Sequence, residues 1–321
     1  MTDFSRRAVL KASAASALLG LSGSLAFMPA AQAADIKKKG FYSFKVGTDI
    51  EVISIYDGVW QKGHDPNFAV GATLEDQKAA LRSAGLTDEF VPIDFAFTVV
   101  KSKGKTILID AGTGGQLAPT AGQAKAGLKA AGINNEDVDL ILISHMHPDH
   151  IFGLMEKETN AQVFSNAEIM VGESEYKFWT DPATINKVPE RRKPLINRIQ
   201  ATFPTWKNVT LFKDNATVAD GIQAHPTPGH SPGHTAFHVS SGNDQTMIIG
   251  DAIIVPALFL ANIDWQLVFD ADKDLATKTR KSLLDRVIAD NMTIAGYHFG
   301  FPNSGKLTKD GKSYVFNPAT A

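Results

Sequence analysis

Residues 143–153 read "ISHMHPDHIFG", and they place His145, His147, Asp149 and His150 within six positions of one another. Only nine histidines occur in 321 residues, so three in this window demand a chemical reason. The stretch follows "DLILIS" (Asp139–Ser144), an apolar run that reads as a buried strand. Pro148 cannot donate to a helical or sheet ladder, which predicts that the four polar residues sit on a loop at the strand end. This is not the helical His-Glu-x-x-His arrangement, in which one helix face carries both histidines. Four ligands so close together crowd a single ion. A loop can instead turn His145 and His147 to one cation, and Asp149 and His150 to a second.

Two ions need further ligands, and three positions offer them. "TPGHSPGH" (Thr227–His234) puts His230 in a Pro/Gly-rich loop that can aim an imidazole inward. "MIIGDA" (Met247–Ala252) delivers Asp251 at the end of an apolar strand, where a carboxylate can span two cations. "AGYHFGFP" (Ala295–Pro302) brings out His298. The count then closes with His145, His147 and His230 on one metal, Asp149, His150 and His298 on the other, and Asp251 shared. An open position for a bridging water remains, as a catalytic site requires. His64 and His238 read as surface or hydrogen-bonded residues. His225 and His234 flank His230, and His234 reads as a loop-packing group beside the site.

Around these motifs, strand-like and helix-like segments alternate. "IEVISIYDG" (Ile50–Gly58) is β-branched and reads as a strand ending in an Asp-Gly turn. "TLEDQKAALRSAG" (Thr73–Gly85) opens on a capping residue and closes on Gly, as a helix does. "FAFTVVKSKGKTILIDAG" (Phe95–Gly112) predicts two strands around a tight turn, finishing at Asp110. Asp110 can then orient a ligand or the metal loop. "AKAGLKAAG" (Ala124–Gly132) reads as a helix. The second half repeats this grammar, with a hairpin in Thr235–Ala252, an amphipathic helix in Asp274–Asp290 and a final short strand in Thr293–Gly300. "TILIDAG" and "TMIIGDA" suggest two similar halves, and the pattern predicts a two-layered β core with helices outside.

His-x-His-x-Asp-His, a later Thr-Pro-Gly-His, a strand-end Asp and a final Gly-x-His resemble the metallo-β-lactamase-fold hydrolases. Within them the chain looks most like the methyl parathion hydrolase-like group, through the seven ligands, "LAPTAGQAKAGLKAAG" (Leu117–Gly132) and "GKSYVFNP" (Gly311–Pro318). The resemblance implies an α/β fold, an αββα sandwich of two mixed sheets flanked by helices, with the site along one edge. It makes the first histidine of "HSPGH" the ligand, and it sets an aromatic wall near "EYKFWTD" (Glu175–Asp181), which contains Phe178 and Trp179. Leu117, Ile254 and Phe269 are further candidates for an apolar pocket. One lactonase branch carries Tyr three residues after the bridging Asp, where this chain has Ile254.

Zn(2+) suits the imidazole-rich donor set, and Mn, Fe or Co suit the same donors. A bound metal lowers the pKa of water to about 7. Hydroxide held between two ions could then attack a carbonyl carbon or a phosphorus. Asp149 and Asp251 are the carboxylates placed to take part, with Asp251 holding the bridge and helping to manage the proton. An apolar pocket suits aryl esters, lactones such as acyl homoserine lactones, and organophosphate triesters. The resemblance leans toward the phosphotriesters. A non-catalytic metal-binding protein is the rival of a different class.

Composition narrows the field further. There is no cysteine, so disulfides and thiolate metal sites are excluded. A net charge of −2 gives no footprint for nucleic acid. "SRRAVLK" (Ser5–Lys11) is a twin-arginine pattern, followed by a weakly apolar run and by "AQA" (Ala31–Ala33) at a cleavage position. Residues 1–33 therefore read as a twin-arginine export signal, and 34–321 as a single domain. Cleavage removes one acidic and three basic residues, which takes the charge from −2 to −4. A bacterial periplasmic or secreted protein is expected, with the export machinery as a partner. A homodimer is compatible with the sequence.

Overall fold

The computed structural model describes residues 30–319. The export-signal reading therefore lies, apart from Ala30–Ala33, outside the described residues. The first half contains strands β1 (Phe41–Val46), β2 (Ile50–Lys62), β3 (Ala69–Val70), β4 (Val91–Ser102), β5 (Lys105–Ile109), β6 (Leu140–Ile143), β7 (Glu168–Gly172) and β8 (Val209–Phe212). The second contains β9 (Thr217–Ala219), β10 (Ile222–Pro226), β11 (Thr235–Ser241), β12 (Asp244–Ile248), β13 (Gln266–Leu267), β14 (Thr293–Ala295), β15 (Ser304–Asp310) and β16 (Ser313–Pro318). They form two seven-stranded sheets, ordered β1-β2-β4-β5-β6-β7-β8 and β16-β15-β14-β12-β11-β10-β9, while β3 and β13 pair separately. Both large sheets are mixed: β5 to β8 pair in parallel in the first, and β12 and β14 in the second. The remaining neighbours are antiparallel. This is the two-sheet α/β architecture that the alternating pattern predicted.

The run "LILI" in β6 shows why the sheets stack. Leu140 and Leu142 join a core that also holds Val52, Val100 and Ile107 of the first sheet and Ala224, Phe237 and Val239 of the second. Ile141 and Ile143 point the other way, into a core shared with Leu128 of helix α3 (Ala124–Ala130) and Ile196 and Ile199 of helix α6 (Lys193–Thr202). Successive side chains of a strand face opposite sides, so a strand covered on both faces must be apolar throughout.

The helices are α1 (Ala30–Lys39), α2 (Leu74–Ser83), α3 (Ala124–Ala130), α4 (Pro148–Ile151), α5 (Glu173–Thr180), α6 (Lys193–Thr202), α7 (Pro256–Phe259) and α8 (Lys273–Ala289). Helix α2 starts in a reciprocal cap, in which the Asp76 N–H donates to Thr73 Oγ1 at 3.1 Å and the Thr73 N–H to Asp76 Oδ2 at 2.9 Å. Among the described residues, no helix is long and apolar enough to cross a membrane.

Four local expectations are corrected. The metal motif is not all loop, because Pro148 opens α4 at its first position, where a missing N–H is no loss. Asp57-Gly58 does not turn the chain: β2 runs on to Lys62 through a bulge there. The Asp57 carboxylate is buried and accepts from the Thr113 and Ala124 N–H groups, at 2.7 and 2.8 Å. The strand at Thr293 is not the last, since the β15–β16 hairpin follows. On α8, Leu275 is exposed while Arg280 is buried.

Candidate metal centre

The strand ends converge. The His145 loop and α4 follow β6, His230 lies in the β10–β11 loop, Asp251 follows β12 and His298 follows β14. Two glycines permit the approach. Gly250 has φ +49, and a Cβ there would meet His234 Nε2 at 2.8 Å; Gly229 has φ +130, and a Cβ would meet Ala276 Cα at 2.4 Å.

Two donor clusters result. In one, His145, His147, His230 and Asp251 bring one ligand atom each within 4.8 Å of the others; in the other, Asp149, His150, His298 and Asp251 do the same. His147 Nδ1 faces His145 Nε2 at 2.9 Å and His230 Nε2 at 3.0 Å. One ring nitrogen cannot satisfy two others, so lone pairs turn on one another unless a cation sits among them. In the second cluster, His298 Nε2 is 3.2 Å from both Asp149 Oδ2 and Asp251 Oδ2. His150 Nε2 and Asp251 Oδ1 are buried 3.2 Å apart without a hydrogen-bond partner. Buried polar atoms rarely stay unsatisfied, and these donors fit divalent cations. The clusters suggest a binuclear metal site.

Behind these atoms lies a set of buried orienting groups. Asp110 Oδ2 is 2.8 Å from His150 Nδ1, and its carboxylate also accepts from the Ser144 N–H and hydroxyl. Asp270 Oδ1 is 3.0 Å from His230 Nδ1, and its other oxygen accepts from Arg280 at 3.2 Å. The Asp94 carbonyl meets His298 Nδ1 at 2.7 Å. Tyr297 stacks on His150 with ring centroids 3.9 Å apart and donates to the Asp149 carbonyl at 2.5 Å. Glu175 ties two loops together: it accepts from the Met146 N–H and the Trp179 indole through one oxygen, and from Ser231 and the Gly233 N–H through the other.

Without metal, the clusters differ in charge. Burial, and then the neighbouring imidazoles, hold His145 and His147 well below the usual histidine range. Burial also opposes charge on His298, but Asp251 and Asp149 outweigh it and push the imidazole up to about 10. His150 is raised likewise, with Asp251, Asp149 and Asp110 overcoming its burial. Asp149 and Asp251 are lowered despite burial, because His150 and His298 are near.

The structure brings the seven candidate ligands together, sets His234 directly beside them and leaves His64, His225 and His238 apart. His234 Nδ1 is 2.7 Å from Thr227 Oγ1, while its Nε2 accepts the Asp251 N–H at 3.0 Å. Burial, helped by His230, lowers its pKa to about 3. His64 meets the Asp88 carbonyl, His238 meets Gln245, and His225 lies beside Arg286.

A cavity of about 330 Å³ opens over both clusters, and Leu117, Ile254 and Phe269 are among its lining residues. Trp179 is not. It is 1 % exposed, edge-on behind His147 with its indole held by Glu175, so it packs the ligand rather than walling the cavity. Phe178 packs against Trp179. Sequence reasoning missed Trp60, Ile93, Phe95, Leu195, Arg191 and Arg192 in the lining, and Glu175, Asp270, Arg280 and Tyr297 behind the ligands. Only Tyr297 carried a signal, through its place beside His298.

A two-sheet α/β sandwich with paired His/Asp clusters at its strand ends defines a metal-dependent hydrolase. The model of the metallo-beta-lactamase superfamily matches residues 96–298, and the chain belongs to that superfamily. Among solved structures it is similar to AidC, a dizinc quorum-quenching lactonase in complex with a product (27 % identity, TM-score 0.82, covering 88 % of this chain and 98 % of that one). It is also similar to the hydrolase AbOPH of the beta lactamase superfamily (25 % identity, TM-score 0.80, 87 % and 97 %). Uncharacterized protein YobT of Bacillus subtilis is 28 % identical over 59 % of this chain and 77 % of its own length. An N-acyl homoserine lactonase of Bacillus thuringiensis is 25 % identical over 38 % of this chain and 41 % of its own length.

Proposed function

We propose that the protein is an exported binuclear hydrolase of small apolar esters, of the aryl ester or organophosphate triester type. In this reading His145, His147 and His230 would hold one divalent ion, Asp149, His150 and His298 would hold the second, and Asp251 would contribute to both sites. Zn(2+) is the metal the donor set suits best. Two ions so held supply Lewis-acid polarisation of the ester oxygen and a water acidic enough to ionise near pH 7. The observation that carries the reading is the opening of both clusters, through Asp251, onto one small cavity.

The chain's own residues do the rest. Asp110 and Asp270 orient His150 and His230, and Glu175 fixes the spacing of the two histidine loops. Ile93, Phe95 and Ile254 supply an apolar wall that excludes water from beside the ester. Asp251 lies within reach of every imidazole but that of His147, by 3.2 to 3.9 Å, and is placed to take or return a proton at the reacting oxygen. The methyl parathion hydrolase-like features at Leu117–Gly132 and Gly311–Pro318 support the phosphotriester side, and the twin-arginine sequence at Ser5–Lys11 supports export.

Lactone hydrolysis is the second reading, favoured by the likeness to AidC over 88 % of the chain. Ile254 in the cavity wall leaves no phenol hydroxyl at that point. A panel on the purified protein separates the readings: an aryl phosphotriester, an aryl ester, an acyl homoserine lactone and a β-lactam, with metal content measured in parallel. Turnover of the first two above the third supports the first reading, and the reverse order supports the lactonase. Two bound metals with no turnover of any substrate would refute both.

A further inference from the structure

The cavity lining is of two kinds, apolar and cationic. Phe95 lies edge-on to His298, with ring centroids 5.6 Å apart, in apolar company with Ile93 and Ile254. Arg191 and Arg192 also line the cavity, and no lysine or other arginine among the described residues does so. Arg191 is exposed, whereas Arg192 is half-buried and close enough to His147 to oppose its charge. Arg192 Nη2 donates to the Phe269 carbonyl at 3.0 Å, its one side-chain hydrogen bond among the described residues. The carboxylate in its neighbourhood, Asp270, is already committed to His230 Nδ1 and Arg280. Burial, and then Arg191, work against the Arg192 charge, and Asp270 offsets this only in part.

A half-buried guanidinium with no carboxylate of its own gains from an incoming anion, and low-polarity walls strengthen the pair. Its planar fork matches the two oxygens of a carboxylate. We propose that Arg192 is a specificity-determining residue that holds a carboxylate on the substrate. The substrates are then amphipathic ester acids, with the ester over the clusters, hydrocarbon against Ile93, Phe95 and Ile254, and the acid group on Arg192. Arg191, exposed on the same lining, draws such anions in. This inference rests on the hydrolase reading of the same cavity and narrows its substrate class.

The test compares two esters of equal chain length on the metal-loaded enzyme, neutral 4-nitrophenyl butyrate and anionic mono-4-nitrophenyl succinate. Wild type should show the higher kcat/KM for the succinate ester. Arg192→Gln should lower the succinate-to-butyrate ratio at least tenfold, chiefly through KM, and Arg192→Lys should restore part of it. An unchanged ratio overturns the proposal, including the case where both rates fall because the Phe269 contact is lost. Calorimetric binding of succinate against butyrate decides the matter without turnover. A tighter succinate complex that Arg192→Gln abolishes supports the subsite, and equal binding in both proteins overturns it. Failure to hydrolyse either ester, with the binding difference intact, would instead remove the aryl-ester reading and leave the subsite standing.

Discussion

The two donor clusters share Asp251 yet are built on opposite electrostatic terms. The His145–His147–His230 side sets three imidazoles against one carboxylate, and burial with mutual repulsion keeps His145 and His147 neutral. The Asp149–His150–His298 side pairs two imidazoles with two carboxylates and retains protons on His150 and His298. The second cluster balances its charges as ion pairs but leaves His150 Nε2 and Asp251 Oδ1 without a hydrogen-bond partner, while in the first the imidazole nitrogens face one another. A cation is therefore the missing partner of the first cluster and a competitor of protons in the second.

The shared residue should produce the largest effect. Asp251→Asn should lower kcat/KM by about a thousandfold and reduce metal content, because both clusters lose their common charge. Steady-state kinetics with elemental analysis checks this.

Next in size is the dependence of metal binding on pH. Loading the His298 cluster must displace protons from His298 and His150, whose pKa values are raised, so its affinity should fall as pH drops from about 10. The other cluster gives up no imidazole proton from His145 or His147 near neutrality, since both are already neutral there. Calorimetry in buffers of different ionisation enthalpy should therefore show proton release for one ion and little for the other. The sign for stability also divides. The raised His298 contributes stability to the metal-free protein that is full below about 6.5 and is lost as pH rises through about 10. The depressed His234 contributes stability that is present above about 6.5 and is lost as pH falls toward about 3. Thermal unfolding of chelated protein against pH reads both limbs.

Smaller effects should separate the clusters by their supports. Asp110→Asn should weaken the His150 ion, and Asp270→Asn the His230 ion, each by about 10- to 100-fold in metal affinity. Competitive chelator titration distinguishes one weakened ion from two. His238→Asn, on the far hydrogen bond to Gln245, should leave rate and metal content within about twofold.

The sequence revealed much of this difference, but unevenly. Spacing points to the seven candidate donors, because each follows an apolar strand or a Pro/Gly loop, and the family resemblance is what chooses His230 over His234. The β6 run and the Thr73 cap are equally readable, being local. What escaped detection is set by distant partners. Glu175 accepts from Met146, Ser231 and Gly233, which lie 29, 56 and 58 positions away, and nothing near Glu175 marks it as buried. Its capture of the Trp179 indole is also what draws that ring behind His147 and out of the cavity. Arg280 is buried on α8 because it answers Asp270 and the Ala252 carbonyl, a pairing that helical periodicity cannot show. Pro148 misled for a different reason, since the same residue ends one helix and starts another.

Anomalous diffraction at the metal absorption edges of the loaded protein tests the central claim most directly. The account predicts two peaks per chain, one enclosed by His145, His147 and His230 and one by Asp149, His150 and His298, with an Asp251 oxygen coordinated to each. A single peak, or two peaks with Asp251 touching neither or only one, would contradict it.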